Sequence, residues 1–126
     1  MDSNKDHYKL LLQAILPEEI FSYFEITQVI VDEKRLDVHL DELHQVPEEF
    51  LTEKLTSKGF QSAIVIQDYP IRERMVYLHI RKRKWLVYST GQIVSRDWDL
   101  IAKGARYTKG FASFLKGLFG QIPDQQ

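Results

Sequence analysis

Val76-Tyr77-Leu78-His79-Ile80-Arg81-Lys82-Arg83-Lys84-Trp85 joins an alternating apolar run to four consecutive cations and an indole. The alternation predicts a strand with Tyr77, His79 and Arg81 on one face. At Arg81–Lys84 charge projects from both faces, which a buried strand does not tolerate. The strand therefore leaves the core there or meets something negative. That something is water, a partner protein or a phosphate backbone.

Working outward, the strand is expected to run from Met75 to Tyr88, entered through a charged turn at Ile71-Arg72-Glu73-Arg74. Phe60 to Tyr69 reads as the strand before it, centred on Ala63-Ile64-Val65-Ile66 and closed by Pro70. Further upstream, β-branched Ile26–Val31, the polar turn Asp32-Glu33-Lys34-Arg35 and the alternation of Leu36, Val38 and Leu40 with Asp37, His39 and Asp41 predict a hairpin. Residues 42–58 read as irregular or weakly helical, ended by Gly59. Downstream, Ser89-Thr90-Gly91 is a turn and Ile93-Val94 a short strand.

Helices flank these strands. Tyr8, Leu11, Leu12 and Ile15 recur at helical spacing up to Pro17, and Pro17-Glu18-Glu19 restarts a helix with Ile20, Phe21 and Phe24 as its apolar face. Ser95 to Ala102 reads as helical, capped by Ser95 or Asp97. Thr108 to Leu118 places Phe111, Phe114, Leu115 and Leu118 on one stripe. The tail from Gly120 to Gln126 is expected to fray. The order of helices, then an antiparallel sheet of about five strands, then helices is an α+β pattern rather than an alternating one.

The 126 residues fit a single domain, with 44% hydrophobic and 28% charged residues. No apolar run approaches the roughly 18 residues that span a bilayer, and the N-terminus lacks a secretory signature. The absence of cysteine excludes disulfides and thiolate zinc sites and suits a cytoplasmic protein.

The net charge of −1 conceals a division. Residues 1–71 hold 6 Lys/Arg against 14 Asp/Glu, a balance of −8, and residues 72–126 hold 11 against 4, a balance of +7. Such asymmetry points to a polyanion-binding half, or to two halves that neutralise each other in the fold.

No nucleophile motif or glycine-rich phosphate loop is present. The Asp37, His39, Asp41 row suggests a metal site, but ligands from one strand rarely suffice, and a solvated face is the favoured reading. Glu18-Glu19, Asp41-Glu42 and Asp97/Asp99 read as helix starts or solvated surface rather than acid/base pairs. Gly117-Leu118-Phe119-Gly120 spells the GxxG of an RNA-binding loop, without basic filling. The basic half carries more. Arg81, Lys82, Arg83 and Lys84 are followed by Arg96, Lys103, Arg106, Lys109 and Lys116, interleaved with Trp85, Tyr88, Trp98 and Tyr107. Long cations tracking a phosphate backbone, with a ring available to stack, describe a nucleic-acid surface. Lys103 and Arg106 precede the last helix, where its dipole favours phosphate. Trp98, beside Leu100 and Ile101, reads as core.

Ile64–Arg72, Val76–Trp85 and Thr90–Trp98 resemble the N-terminal-region proteins of ISAon-type bacterial insertion-sequence transposases. Ile15–Phe24, Ser57–Phe60 and Phe111–Lys116 fit the same resemblance, which covers most of the chain. The resemblance implies a short, separately encoded, non-catalytic chain that accompanies a larger transposase and binds insertion-element end DNA during transposition and DNA recombination. The site is read from the charge pattern, not from the resemblance, as Arg81, Lys82, Arg83, Lys84, Trp85, Arg96, Lys103, Arg106 and Lys109. The chain also resembles, more distantly, transposase front ends that carry a zinc ribbon before a helix-turn-helix. Leu86-Val87-Tyr88-Ser89-Thr90-Gly91 stands where that ribbon's cysteines would be, so no zinc or other cofactor is expected. The three-carboxylate catalytic domain of such transposases has no room in this chain. A second reading is a protein-interaction subunit that docks on the catalytic transposase or on another copy. A third is a small RNA-directed enzyme using His79 with Arg81 and Tyr77.

Overall fold

The computed structural model describes residues 3–104 and 108–120. The opening stretch becomes two strands. β5 (Arg74–Arg81) lies inside a four-stranded sheet with β1 (Phe24–Val31), β2 (Arg35–Glu42) and β4 (Ile64–Ile71), in the order β1-β2-β5-β4. β6 (Arg83–Val87) is the centre of a second sheet, between β3 (Leu55–Phe60) and β7 (Ile93–Val94). Helices α1 (Ser3–Ile15), α2 (Trp98–Gly104) and α3 (Lys109–Gly120) complete an α+β fold.

The class is the expected one, but the sheet is not. Among the described residues there are seven strands in two sheets rather than about five in one. The β1/β2 and β4/β5 hairpins are antiparallel, yet β2 and β5 run parallel, with His39 opposite His79 and Asp41 opposite Arg81. Two local hairpins are laid side by side, and the chain between them passes through β3 before returning as β4. That long connection permits a parallel pair, which a short turn could not.

The predicted strand from Met75 to Tyr88 breaks at Lys82. The Lys82 carbonyl accepts the Gln61 N–H at 2.7 Å, and the Arg83 N–H is taken by the Glu42 carboxylate at 2.8 Å. The next residues find a partner in β3, within the segment expected to be irregular: Leu55, Thr56 and Ser57 pair with Val87, Leu86 and Trp85. Leu55-Thr56-Ser57-Lys58-Gly59-Phe60 has no strong strand pattern, so this strand exists because β6 pairs with it. Pro70 lies inside β4 rather than closing it, on an edge strand where its missing N–H costs no ladder bond.

Val38, Leu40, Ile66, Val76, Leu78 and Ile80 bury one face of the larger sheet against Leu16, Ile20, Phe111, Phe114, Leu115 and Leu118. Trp98 is core, stacked 5.2 Å from Phe24 and edge-on to Tyr23 at 5.3 Å. Phe24 begins β1 instead of ending a helix, because the stretch after Pro17 is only a 3-10 turn, Glu18–Ser22. Asp97, not Ser95, caps α2 by accepting the Leu100 N–H at 3.1 Å. Gly117 and Gly120 lie inside α3, so GxxG is no loop here. A Cβ at Gly117 would stand 2.8 Å from Ile66 Cγ2, so α3 packs here directly on β4 with no room for a side chain. The tail expected to fray lies at residues 121–126, outside the described residues.

Candidate nucleic-acid interface and the polar sheet face

The basic run is divided by what each side chain meets. Arg81 Nε and Nη2 donate to the two oxygens of Asp41 at 2.7 and 2.6 Å, and its guanidinium lies 4.2 Å from the Phe60 ring centre. Arg83 covers the same ring at 4.5 Å, donates to Ser57 Oγ at 2.8 Å and reaches the Glu42 carbonyl at 3.3 and 3.2 Å. Arg96 is buried, with Nε donating to Glu42 Oε2 at 2.9 Å and Nη2 to the Gln45 carbonyl at 3.1 Å. Burial pushes the Lys82 ammonium down from its ordinary value, and the Glu42 charge opposes that shift. Trp85 is buried within the small sheet, edge-on to His44 at 5.2 Å. Lys103 pairs with Asp99 at 2.9 Å on the open surface of α2. Lys109 is exposed at the start of α3. Arg106 and Tyr107 lie outside the described residues.

Glu42 was expected in a solvated acidic pair; instead it is fully buried. At the end of β2 its carboxylate holds the first N–H of β6 with one oxygen and Arg96 with the other, tying the two sheets together. Desolvating a carboxylate is tolerated only with charge-assisted hydrogen bonds of this kind. Glu19 likewise leaves the expected surface role. Its carboxylate accepts the Thr108 N–H at 2.8 Å and the Thr108 hydroxyl at 3.0 Å. These bonds, chiefly the one from the backbone, lower its pKa. The N-terminus of α3, expected to welcome phosphate, therefore has a carboxylate at its cap. Two cations of the basic half, Arg81 and Arg96, are thus paired with carboxylates of the acidic half, so the second of the two meanings open to the charge division holds in part.

Some of the charge is not paired in this way. Among the described residues neither Lys82 nor Lys84 forms an ion pair. Strand alternation turns Lys84 and Leu86 away from buried Trp85 and Val87, and Tyr88 follows in the turn after β6. Tyr88 is 55% exposed, and the Lys54 ammonium sits 5.3 Å from its ring centre. Ile93 is also exposed on the strand next to Leu86. The outer side of the small sheet thus carries Lys84 on β6, with Lys54 by the accessible ring just past it. Tyr88 was among the rings the sequence offered for stacking, whereas Lys54 was not nominated, because its approach to Tyr88 depends on the pairing of β3 with β6.

The open face of the large sheet gathers the other polar candidates. The parallel register stacks His39 on His79, with ring centres 4.3 Å apart and planes inclined 11°. His79 Nε2 lies 2.6 Å from Asp37 Oδ1. Arg35 donates to both Asp37 oxygens at 2.8 and 2.7 Å while covering Tyr77 at 4.0 Å. The Arg35 and His79 bonds hold the Asp37 carboxyl down to about 2. Burial, then the His79 charge, depresses the His39 imidazole. A recess of about 270 Å³ opens beside these groups, lined by Thr27, Gln28, His39, Asp41, His79 and Arg81.

This face is an electrostatic lattice of two arginine–carboxylate pairs and two stacked imidazoles. The carboxylate oxygens of Asp37 and Asp41 already accept arginine or imidazole bonds, and no group of three or more metal-capable side chains occurs among the described residues. The His79, Arg81 and Tyr77 grouping is real as a shared face of β5. No helix among the described residues is long and apolar enough to cross a membrane. No family model, curated protein or solved structure matches the chain.

Proposed function

We propose that this chain is a non-catalytic DNA-binding module that serves a separately encoded transposase by holding insertion-element end DNA. The observation that carries the DNA half of this reading is the outer side of β3–β6–β7, where Lys54 lies by the exposed ring of Tyr88 just past β6, Lys84 stands on β6 and Lys82 at the crossing from β5. Lysines without carboxylate partners are free to replace phosphate counterions, and a wet aromatic ring can stack or wedge. Arg81, Arg83 and Arg96 act behind that face, by fixing the two sheets together. The transposition half, with its catalytic partner chain and cytoplasmic setting, rests on the sequence resemblance alone.

Fluorescence anisotropy with labelled element-end duplex over a salt series tests the reading. The wild-type protein should bind with a steep log–log salt dependence, and the double substitution Lys82→Ala/Lys84→Ala should reduce the slope by about two. Unchanged affinity and slope in a folded double variant would remove the interface.

The second reading, a protein-interaction subunit, is favoured by the internal pairing of Arg81, Arg83 and Arg96, which leaves less free charge than the sequence promised. A stable complex with the catalytic chain and no DNA shift at moderate salt selects it.

A further inference from the structure

We propose that the outer edge of β1 is a self-association surface, occupied by β1 of a second copy running antiparallel across a twofold axis. β1 ends the four-stranded sheet, and among the described residues its outer side pairs with no strand. Backbone N–H and C=O groups along such an edge form a template for another strand, and folded proteins usually guard it with charge, proline or irregularity. Each edge has one irregularity, β1 between Ile26 and Gln28 and β4 between Asp68 and Ile71, and the two differ in charge and proline beyond it. β4 carries Asp68 and Pro70. On β1, Ile26-Thr27-Gln28-Val29-Ile30-Val31 contains no charge and no proline, and four of its six residues are Ile or Val.

The absence of charge favours a second copy as the occupant. Antiparallel self-pairing lays a strand against its own sequence, so any charge near the middle of the segment faces its like across the axis. Here Ile26–Val31 is neutral, so no charge faces its like near the axis, and the acids Glu25 and Asp32 lie only at the ends of the paired segment. The edge also continues into an apolar groove of about 640 Å³ between α1 and the same end of the sheet, lined in part by Leu11, Ile15, Val29 and Val31. Of the thirteen large hydrophobic residues exposed among those described, six lie on α1 and β1. Such a concentration marks an interface rather than scattered surface. Pairing of the two edges makes one sheet across both copies and brings the two grooves together, so that each α1 helps to cover the other's apolar face.

The proposal is independent of DNA binding and is tested on the full chain alone. Sedimentation velocity over about 1–100 µM should show a monomer–dimer equilibrium, and the double substitution Val29→Lys/Val31→Lys should weaken it at least tenfold. Hydrogen exchange on the wild-type protein should show amides of residues 26–31 gaining protection as concentration rises. A wild-type chain monomeric throughout that range overturns the proposal. So does a dimer whose β1 amides exchange independently of concentration, or β1 protection that appears only when a different protein is added. If the lysine variant fails to fold, the wild-type exchange experiment still decides.

Discussion

The two faces of the four-stranded sheet are made by the same strands and handle charge in opposite ways. On the covered face, β2 and β5 present Val38, Leu40, Val76, Leu78 and Ile80, with one charged residue, Glu42, at the end of the row. On the open face the intervening residues present two arginine–carboxylate pairs and a stacked pair of imidazoles. The covered face can hold its carboxylate only by giving both oxygens charge-assisted partners. The open face spreads its charges over pairs whose arginines stay half-exposed to water while their carboxylates are nearly covered. The same ion-pair chemistry should therefore differ several-fold in weight between the two.

The largest expected effect is at Glu42. Glu42→Ala leaves Arg96 buried without its counterion and the first N–H of β6 without an acceptor, and should cost about 3–5 kcal/mol in denaturant unfolding. A loss below about 1 kcal/mol would show that water replaces the carboxylate and would erase the contrast. Gly117→Val comes next. Its side chain must displace Ile66 at the α3–β4 contact, with an expected loss of about 1–3 kcal/mol.

On the open face, Asp37→Asn should cost about 1–2 kcal/mol at neutral pH, since Arg35 and His79 lose a charged acceptor. The pH dependence has a defined sign. The folded Asp37 carboxyl titrates at about 2 against an ordinary 3.8, so its contribution is complete above 3.8 and is lost as pH falls towards 2. His39 has an imidazole depressed below 6.5, so the unfolded chain takes its proton first and stability declines as pH drops through 6.5. Thermal melts of His39→Phe should lose that decline while keeping the Asp37 one; an unchanged profile would place its cause elsewhere. Arg81→Ala, breaking a half-exposed pair, should change stability by about 1 kcal/mol or less. Lys84→Ala should leave unfolding unaltered within about 0.5 kcal/mol while reducing the DNA salt slope by about one.

Local pattern made much of this legible. Alternation in Leu36–Asp41 and Val76–Arg81 marked both central strands, the turn at Asp32–Arg35 marked their first hairpin, and the i, i+3, i+4, i+7 stripe of Phe111, Phe114, Leu115 and Leu118 marked α3. The break at Lys82 and the strand β3 were not legible, because both depend on partners remote in sequence: Glu42 and Gln61 for the first, β6 for the second. The nominated cations divided for the same reason. Nothing local to Arg96 or Arg83 says that Glu42 waits for them, whereas Lys84 keeps its freedom because no acid lies opposite.

By itself the sequence determined the α+β class, the hairpins, the core stripes and the division of charge, since these follow from side-chain periodicity and composition. Only the tertiary structure decided that β2 and β5 run parallel, that the run Arg81–Trp85 crosses between two sheets, and which of its cations remain available. Periodicity acts over a few residues, whereas register and charge pairing are settled between strands some forty residues apart, by which buried group can satisfy which.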